Sequence, residues 1–374
     1  MRVVIVSKTF VFDAAQRQLE WLARQPDIEL TLISPDQWQS DDGRLLRFVP
    51  RFVEGYAVRT LPLRFNGRYH LFLYRGLSHV IRAIAPDIVH IDEEPYNPAG
   101  IQAQRAAETA GARSVFTVLQ NLYKQYPPPY SFIERYNLRH TAHMIACNAD
   151  AARVVRRKGY DGPLSTFAVY GVDPDLYAPV GVARARTALV VGYIGRLVLY
   201  KGLGVLIEAL AGLPEYVQLR LVGSGPDESK LRELVAQHGL VHRVEFVPPV
   251  DASQIPKILA GMDVLVLPSL TQSNWMEQFG RVLIEAMSCE VPVIGSRSGE
   301  IPNVIGDAGL VVPEGDVEAL RQALRQLATN ESLRAGYARA GRQRVLAEFT
   351  QERVAAKLMT VYATVLAGNP KVIL

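Results

Sequence analysis

Glu277-Gln-Phe-Gly-Arg-Val-Leu-Ile-Glu285 places two carboxylates eight residues apart, with Phe279-Gly280 between them. The run ahead of it, Asp263-Val-Leu-Val-Leu-Pro-Ser269, reads as a buried strand, and the run from Gly280 to Met287 reads as helix. Glu277 is therefore expected in a loop at the end of a strand, and Glu285 inside the helix that follows. A helix start leaves backbone N–H groups unpaired at the positive end of the helix dipole. At Gly280 this makes an anion site flanked by two hydrogen-bond acceptors, which fits a sugar nucleotide with its diphosphate on the helix start and its hydroxyls on the carboxylates. Taken alone, the pair also fits a surface loop and a solvated helix face.

A second stretch narrows the reading. Val191-Gly-Tyr-Ile-Gly195-Arg196-Leu-Val-Leu-Tyr-Lys201-Gly202 is a strand, a glycine, and two cations five residues apart in a loop that opens the next helix. Glycine allows close backbone approach to a phosphate, and Arg196 and Lys201 are placed to neutralise two phosphoryl charges. The stretch is not a Walker A loop, because the lysine precedes its glycine and no Ser or Thr follows. Gly223-Ser-Gly225 holds two glycines of a dinucleotide fingerprint, but Glu228 stands at the third position, which is weak ground for NAD.

Working outward, strand and helix patterns alternate along the chain, which predicts α/β architecture with parallel sheets. Expected strands include Val3–Val6, Ile28–Ile33, Asp87–Ile91, Ser114–Leu119 and His143–Cys147 in the first half. In the second half they are Leu189–Ile194, Gln218–Val222, Val244–Val247, Val264–Pro268 and Pro292–Ser296. A helix is expected from about His70 to Ile84. Met1-Arg-Val-Val-Ile-Val is too short for a signal peptide and reads as the first buried strand. Asp173-x-Asp175 lies in a turn and reads as structural; His90, inside a strand, reads as a satisfied core residue. Ligands meet parallel sheets at the carboxyl ends of strands. The acceptor candidates are therefore Glu93, Glu94 and Tyr96 in one such loop, and Gln120, Asn121, Tyr123 and Lys124 in another.

With 374 residues, the chain is long enough for two domains. Its 49% apolar and 21% charged content is that of a soluble globular protein, and no apolar run is long enough to span a bilayer. Cys147 and Cys289 form no framework and no metal-ligand spacing, which fits a reducing cytoplasm. The net charge of +4 is uneven. Arg44, Arg47, Arg51, Arg59, Arg64, Arg68, Arg75 and Arg82 face only Glu54, with Phe52, Tyr56, Phe65, Tyr69, Phe72 and Tyr74 among them. No nucleic-acid motif accompanies this stretch, so an acidic acceptor or the anionic inner face of a membrane suits it better. A solvated surface with ordinary arginines fits as well.

Together these residues resemble the retaining glycosyltransferases of the GT-B fold, glycosyltransferase family 4 (group 1 glycosyltransferases). The matching pieces are Gly195-Arg196 to Lys201-Gly202, Leu221-Val-Gly223-Ser-Gly225-Pro226, Glu277 to Glu285, and Ser298-Gly299-Glu300-Ile301-Pro302. Pro86-Asp-Ile-Val-His90, Glu93-Glu94-Pro95-Tyr96 and Gly171-Val172-Asp173 add to them in the first half. The resemblance implies two Rossmann-like parallel-sheet domains facing each other across a cleft. Residues 1–176 would bind the acceptor and 177–350 the nucleotide-sugar donor, with a last helix in 351–374 packing back on the first domain. It implies retaining transfer from a UDP- or GDP-sugar to a saccharide, lipid-linked or small-molecule acceptor, with no metal and no other cofactor. Glu285 would meet the ribose and Glu277 the donor sugar; Arg196 and Lys201 would hold the leaving diphosphate. Phe279 and Gly280 would offer backbone N–H groups beside the sugar. Gly195 and Arg281 complete the donor set, and Gly223 and Val250 would flank the base. Two departures stand out: the loop Ser7–Asp13 lacks the paired glycines common in the family, and Gln120-Asn121 stand where a histidine is common. A non-catalytic nucleotide-sugar-binding protein and a sugar-nucleotide epimerase on the same fold are the alternatives.

Overall fold

Strands that are apolar on both faces need helices on both sides, and the chain forms two such parallel sheets. The computed structural model describes residues 1–40, 43–180 and 188–368. The chain divides into two compact units, residues 1–171 with 351–374, and residues 172–350.

The first unit carries β1 (Arg2–Val6), β2 (Glu29–Pro35), β3 (Ala57–Leu61), β4 (Ile88–Ile91), β5 (Arg113–Val118), β6 (His143–Ala146) and β7 (Leu164–Thr166). Their order across the sheet is β7-β6-β5-β4-β1-β2-β3, all parallel. The second unit carries β8 (Leu189–Ile194), β9 (Val217–Val222), β10 (Val244–Val247), β11 (Val264–Leu267), β12 (Val293–Ser296) and β13 (Leu310–Val312). Their order is β10-β9-β8-β11-β12-β13, again all parallel. In each sheet the order reverses beside the unit's first strand, between β1 and β4 and between β8 and β11. Such a switch point opens a crevice at the carboxyl ends of the strands, where ligands bind.

Three expectations shift. The unit boundary falls at Gly171/Val172 rather than at 176/177. The Val172 N–H donates to Phe349 O at 2.9 Å, Val172 bridges to Thr350, and the Ser288 hydroxyl donates to Tyr177 O at 2.8 Å, so residues 172–177 fold with the second unit. The expected helix from His70 to Ile84 begins only at Leu77. Leu73–Tyr74 pairs antiparallel with Leu63–Arg64 instead, Gln102 brackets the Tyr74 backbone, and Gly76 at φ 78° starts the helix. Of the aromatics in the arginine-rich stretch, Phe72 and Tyr74 are core residues, while Phe65 is 56% exposed. The turn-forming stretch Pro179-Val-Gly-Val182 reads as a linker in the sequence; its Gly181 and Val182, and residues 369–374 of the C-terminal segment, lie outside the described residues. Asp173 is structural, its Oδ1 accepting the Asp175 N–H at 2.9 Å and the Leu176 N–H at 3.3 Å.

The helix Gln351–Ala367 belongs to the first unit. Its Tyr362 hydroxyl lies 2.6 Å from His90 Nδ1, and Thr117 Oγ1 lies 2.7 Å from Nε2. Both ring nitrogens of this buried histidine are engaged, and burial lowers its pKa from 6.5 to about 4. Neutral when folded, His90 stabilises the protein fully above pH 6.5, and that contribution fades as pH falls from 6.5 toward 4. Tyr362→Phe should cost about 1–3 kcal/mol by orphaning a buried ring nitrogen. Urea melts should show that His90→Gln loses less stability than the wild type between those pH values; an unchanged pH slope would overturn this role.

Candidate active site

At the switch point of the second unit, the loop after β8 carries Lys201 and the loop after β11 carries Glu277. Lys201 Nζ lies 2.6 Å from Glu277 Oε2, and the Ser269 hydroxyl donates to the same oxygen at 2.8 Å. Lys201 also sits 4.6 Å from the ring centroid of Trp275, which packs on Tyr200. The two loops are bound backbone to backbone: the Leu270 N–H donates to Tyr200 O at 2.8 Å. Gly202 has φ 74°, and a Cβ there would lie 1.8 Å from Pro268 O. Close approach of the two loops therefore requires glycine at this position. Gly299 acts in the same way, since a Cβ there would lie 1.9 Å from Glu277 O, which accepts the Glu300 N–H at 3.2 Å. Ser298-Gly299-Glu300 thus seats the backbone of Glu277.

Gly280 caps the helix Arg281–Ser288 with φ 80° and offers no side chain to its N–H groups. Four residues into the helix, Glu285 Oε1 meets Arg281 Nε at 2.9 Å, and its carboxylate also bonds the Tyr177 hydroxyl. Burial pushes Glu285 up from the ordinary carboxylate range, and Arg281 opposes this. Burial, with the nearby Glu285 charge adding to it, pushes the Cys289 thiol up to about 12, which keeps it protonated. Arg196 is exposed and has no ion-pair partner among the described residues; Tyr193 donates to its carbonyl at 2.8 Å. Gly195 and Gly223 crowd each other, a Cβ on Gly223 lying 2.0 Å from Gly195 O. Phe279 packs edge-on against Phe349. Val250, half-buried after β10, takes no part in this network.

The first unit repeats the arrangement. Lys8, in the loop after β1, places Nζ 2.6 Å from Glu93 Oε2 in the loop after β4. Burial raises Glu93, and Lys8 is the main opposing influence. Glu94 accepts the Leu119 N–H at 3.0 Å at the end of β5. Tyr96 stacks on Tyr126 with ring centroids 4.0 Å apart. Gln120 is pinned, its Oε1 accepting from Tyr126 at 3.1 Å and from Lys158 at 3.3 Å, and its Nε2 donating to Leu122 O at 2.8 Å. Lys158 in turn pairs with Glu134. Asn121 is buried, Tyr123 lies under the Arg157 guanidinium at 3.9 Å, and Lys124 is exposed. Glu93, Glu94, Tyr96 and Gln120 thus share one network, with Tyr123 and Lys124 at its outer edge.

Sequence reading missed Lys8, Tyr126, Glu134 and Lys158. Lys8 carries a usable signal, because the loop after a unit's first strand always borders the switch point. The other three are brought in by folding alone and have no motif.

With this geometry in hand, comparison with known proteins decides the family. The model for group 1 glycosyl transferases matches residues 182–344, and that for the glycosyl transferase 4-like domain matches residues 13–166. The phosphatidyl-myo-inositol mannosyltransferase of Mycobacterium leprae is 36% identical over 348 residues, 87% of each chain. This chain belongs to the group 1 glycosyltransferases. Its fold is GT-B: sucrose-phosphate synthase from Thermosynechococcus elongatus matches it with a TM-score of 0.74 at 21% identity, over 99% of this chain and 100% of that one. HepE from Anabaena, solved with UDP, matches with a TM-score of 0.74 at 18% identity, over 97% and 100%. The protein is therefore a glycosyltransferase with a nucleotide-sugar donor.

Proposed function

We propose that this group 1 glycosyltransferase moves a hexosyl group from a UDP- or GDP-sugar to a hydroxyl of a saccharide or lipid-linked acceptor, with retention at the anomeric carbon and without a metal. The observation that carries this reading is the Lys201–Glu277 pair at the switch point, beside the uncapped helix start at Gly280. Departure of a nucleoside diphosphate needs stabilisation of its growing negative charge. Lys201, Arg196 and the free N–H groups after Gly280 supply it in this reading, so charge neutralisation does not call for a divalent ion. Lys201 is held ready by Glu277, and the donor's phosphate competes for it. Glu277 is then freed toward the hydroxyls of the donor sugar, while Glu285, set by Arg281 and Tyr177, takes the ribose. Phe279, Gly280 and Gly195 supply backbone to the donor, and Gly223 and Val250 border its base.

Arg196→Ala and Lys201→Ala should each lower kcat by about 10²-fold or more. Glu285→Ala should weaken binding of the free nucleoside diphosphate, whereas Glu277→Ala should spare that binding and damage sugar transfer. Calorimetric titration of the two glutamate variants with UDP and GDP reads this directly, and the opposite pattern would reverse the donor's orientation.

Activity should persist in excess chelator, and an α-linked donor should give an α-linked product by NMR. Strict dependence on manganese or magnesium, or an inverted product, would refute the mechanism.

The first unit would bind the acceptor. On its surface, Arg47, Arg51, Arg64, Arg68 and Arg75 are exposed, and Val49, Phe65 and Leu71 are 48%, 56% and 41% exposed. Among the described residues, no helix is long and apolar enough to cross a membrane. Basic and apolar side chains together suit a headgroup region, with each arginine contributing about 1 kcal/mol at an anionic surface. This supports peripheral attachment at the cytoplasmic face and a lipid-linked acceptor, as in the name of the mycobacterial relative. Vesicles containing anionic lipid should float the protein at low salt, and changing Arg64, Arg68 and Arg75 to Ser should weaken this. A wild type that ignores such vesicles would point to a soluble acceptor.

A further inference from the structure

The Lys201 ammonium has two partners of different kinds, and the function proposed above uses only one of them. Glu277 meets it at 2.6 Å as an ion pair. Trp275 offers it the face of a ring, with the centroid 4.6 Å from Nζ. Both partners come from the loop after β11, two residues apart in the chain.

That loop is firmly seated within the second unit. The Leu270 N–H donates to Tyr200 O at 2.8 Å, and the Gln272 N–H donates to Trp275 O at 2.7 Å, closing a turn. The Thr271 hydroxyl donates to Glu314 Oε1 at 2.7 Å and lies 3.0 Å from the Ser298 hydroxyl. Tyr200 packs its ring on Trp275 with centroids 4.5 Å apart and an interplanar angle of 46°. Two consecutive residues of the loop after β8, Tyr200 and Lys201, therefore both touch one half-buried indole.

The two partners respond differently to an arriving anion. A carboxylate competes with a phosphate for the ammonium, because both carry negative charge and both accept its N–H groups. An indole face attracts a cation through its quadrupole and carries no net charge, so it does not cancel the charge that a phosphate needs. Lysine carries its ammonium on a flexible four-carbon stem. A lysine that gives up its carboxylate therefore needs another restraint to stay in place.

Resting on the donor reading above, we infer that Trp275 is a positioning residue for the diphosphate. Its ring keeps the Lys201 ammonium at the switch point while the phosphate displaces Glu277. Glu277 remains anchored during this exchange, since the Ser269 hydroxyl donates to its Oε2 at 2.8 Å. Trp275 acts through Lys201 and not on the nucleoside, so it sharpens the preference for a nucleoside diphosphate over a monophosphate.

The test is titration calorimetry of the whole chain with UDP, GDP, UMP and GMP. Lys201→Met should weaken binding of the diphosphate that the wild type takes. Trp275→Leu should weaken it by about tenfold, with the Kd for the matching monophosphate within about twofold of the wild type. Trp275→Phe keeps a ring and should recover most of the loss. In a Lys201→Met background, Trp275→Leu should cost nothing further. A second measurement leaves the shape of the side chain nearly unchanged and decides the matter if Trp275→Leu melts early. Of the three tryptophans, Trp21 and Trp38 lie in the first unit. Incorporation of mono-, di- and trifluorinated tryptophan drains the ring face of negative charge in steps. The Kd for the diphosphate should rise with each step in the wild-type chain and stay level in Trp275→Phe. Three results overturn the role of Trp275 alone: full diphosphate affinity in Trp275→Leu while Lys201→Met is weakened, an equal loss from Trp275→Leu with and without Lys201, or a level fluorination series. A Lys201→Met chain that binds the diphosphate as tightly as the wild type overturns the donor reading with it.

Discussion

Beside the first strand of each sheet, the chain turns back on its own order, and two loops part to either side of the gap. A lysine from one loop meets a glutamate from the other at 2.6 Å in both units, Lys8 with Glu93 and Lys201 with Glu277. The side chains are largely shielded, at 15% and 0% exposure in the first pair and 19% and 10% in the second. Removing one partner of such a pair typically costs about 3–5 kcal/mol, because the other charge is left buried and uncompensated. The pair therefore keeps two loops in register before any ligand arrives. It also keeps charged groups where water is scarce and where their interactions with a ligand are strongest. The cost of desolvating them is met within the fold, not by the ligand.

The backbone around the second pair has little freedom. Gly202 lies against Pro268 and Gly299 against Glu277, each so close that a single added carbon would collide with a carbonyl oxygen. Both sit at positive φ, which a residue with a side chain adopts only at a cost. Neither glycine needs a ligand to explain it. They let three loops stack at the carboxyl end of the sheet, and the Lys201–Glu277 geometry follows from that stacking. A glycine-rich appearance around a phosphate site can thus reflect loop-on-loop packing as much as room for the phosphate.

These two kinds of constraint explain what could be read in advance. Buried parallel strands are short apolar runs, and glycines at loop ends are fixed by backbone geometry, so β8, β11, the Gly280 helix start and the Glu277–Glu285 spacing were legible. His90 was legible as a core residue because it lies within a strand. The helix before Ile84 was overextended because Leu73 and Tyr74 continue a helical pattern, and only their pairing with Leu63 and Arg64 breaks it. The partners of Gln120 were not legible. Lys158 and Glu134 are 24 residues apart on different elements, and nothing local in either marks the contact. Lys8 lies in a loop without the glycines common in the family, and only its place after a unit's first strand marks it.

The repeated topology raises the question of why the two ends are not interchangeable, and the helix that follows each glutamate answers it. After Glu277 comes Gly280, which has no side chain to occupy the N–H groups of the helix it opens. After Glu93 comes Asn97, whose side chain accepts the Ala99 N–H at 3.3 Å, and Pro98, which has no N–H to offer. The first helix start is thus closed by its own chain, and the second is left open to an anion. Exchange of a cap residue for glycine thus leaves one helix start open where the other is closed. In the first unit, the carbonyl of Glu94 accepts the Asn97 N–H at 2.8 Å, so the cap that closes the helix also seats the carboxylate beside it. The two ends therefore differ in chemistry: an open helix start beside the Lys201–Glu277 pair in the second unit, and a capped helix start beside two buried carboxylates in the first.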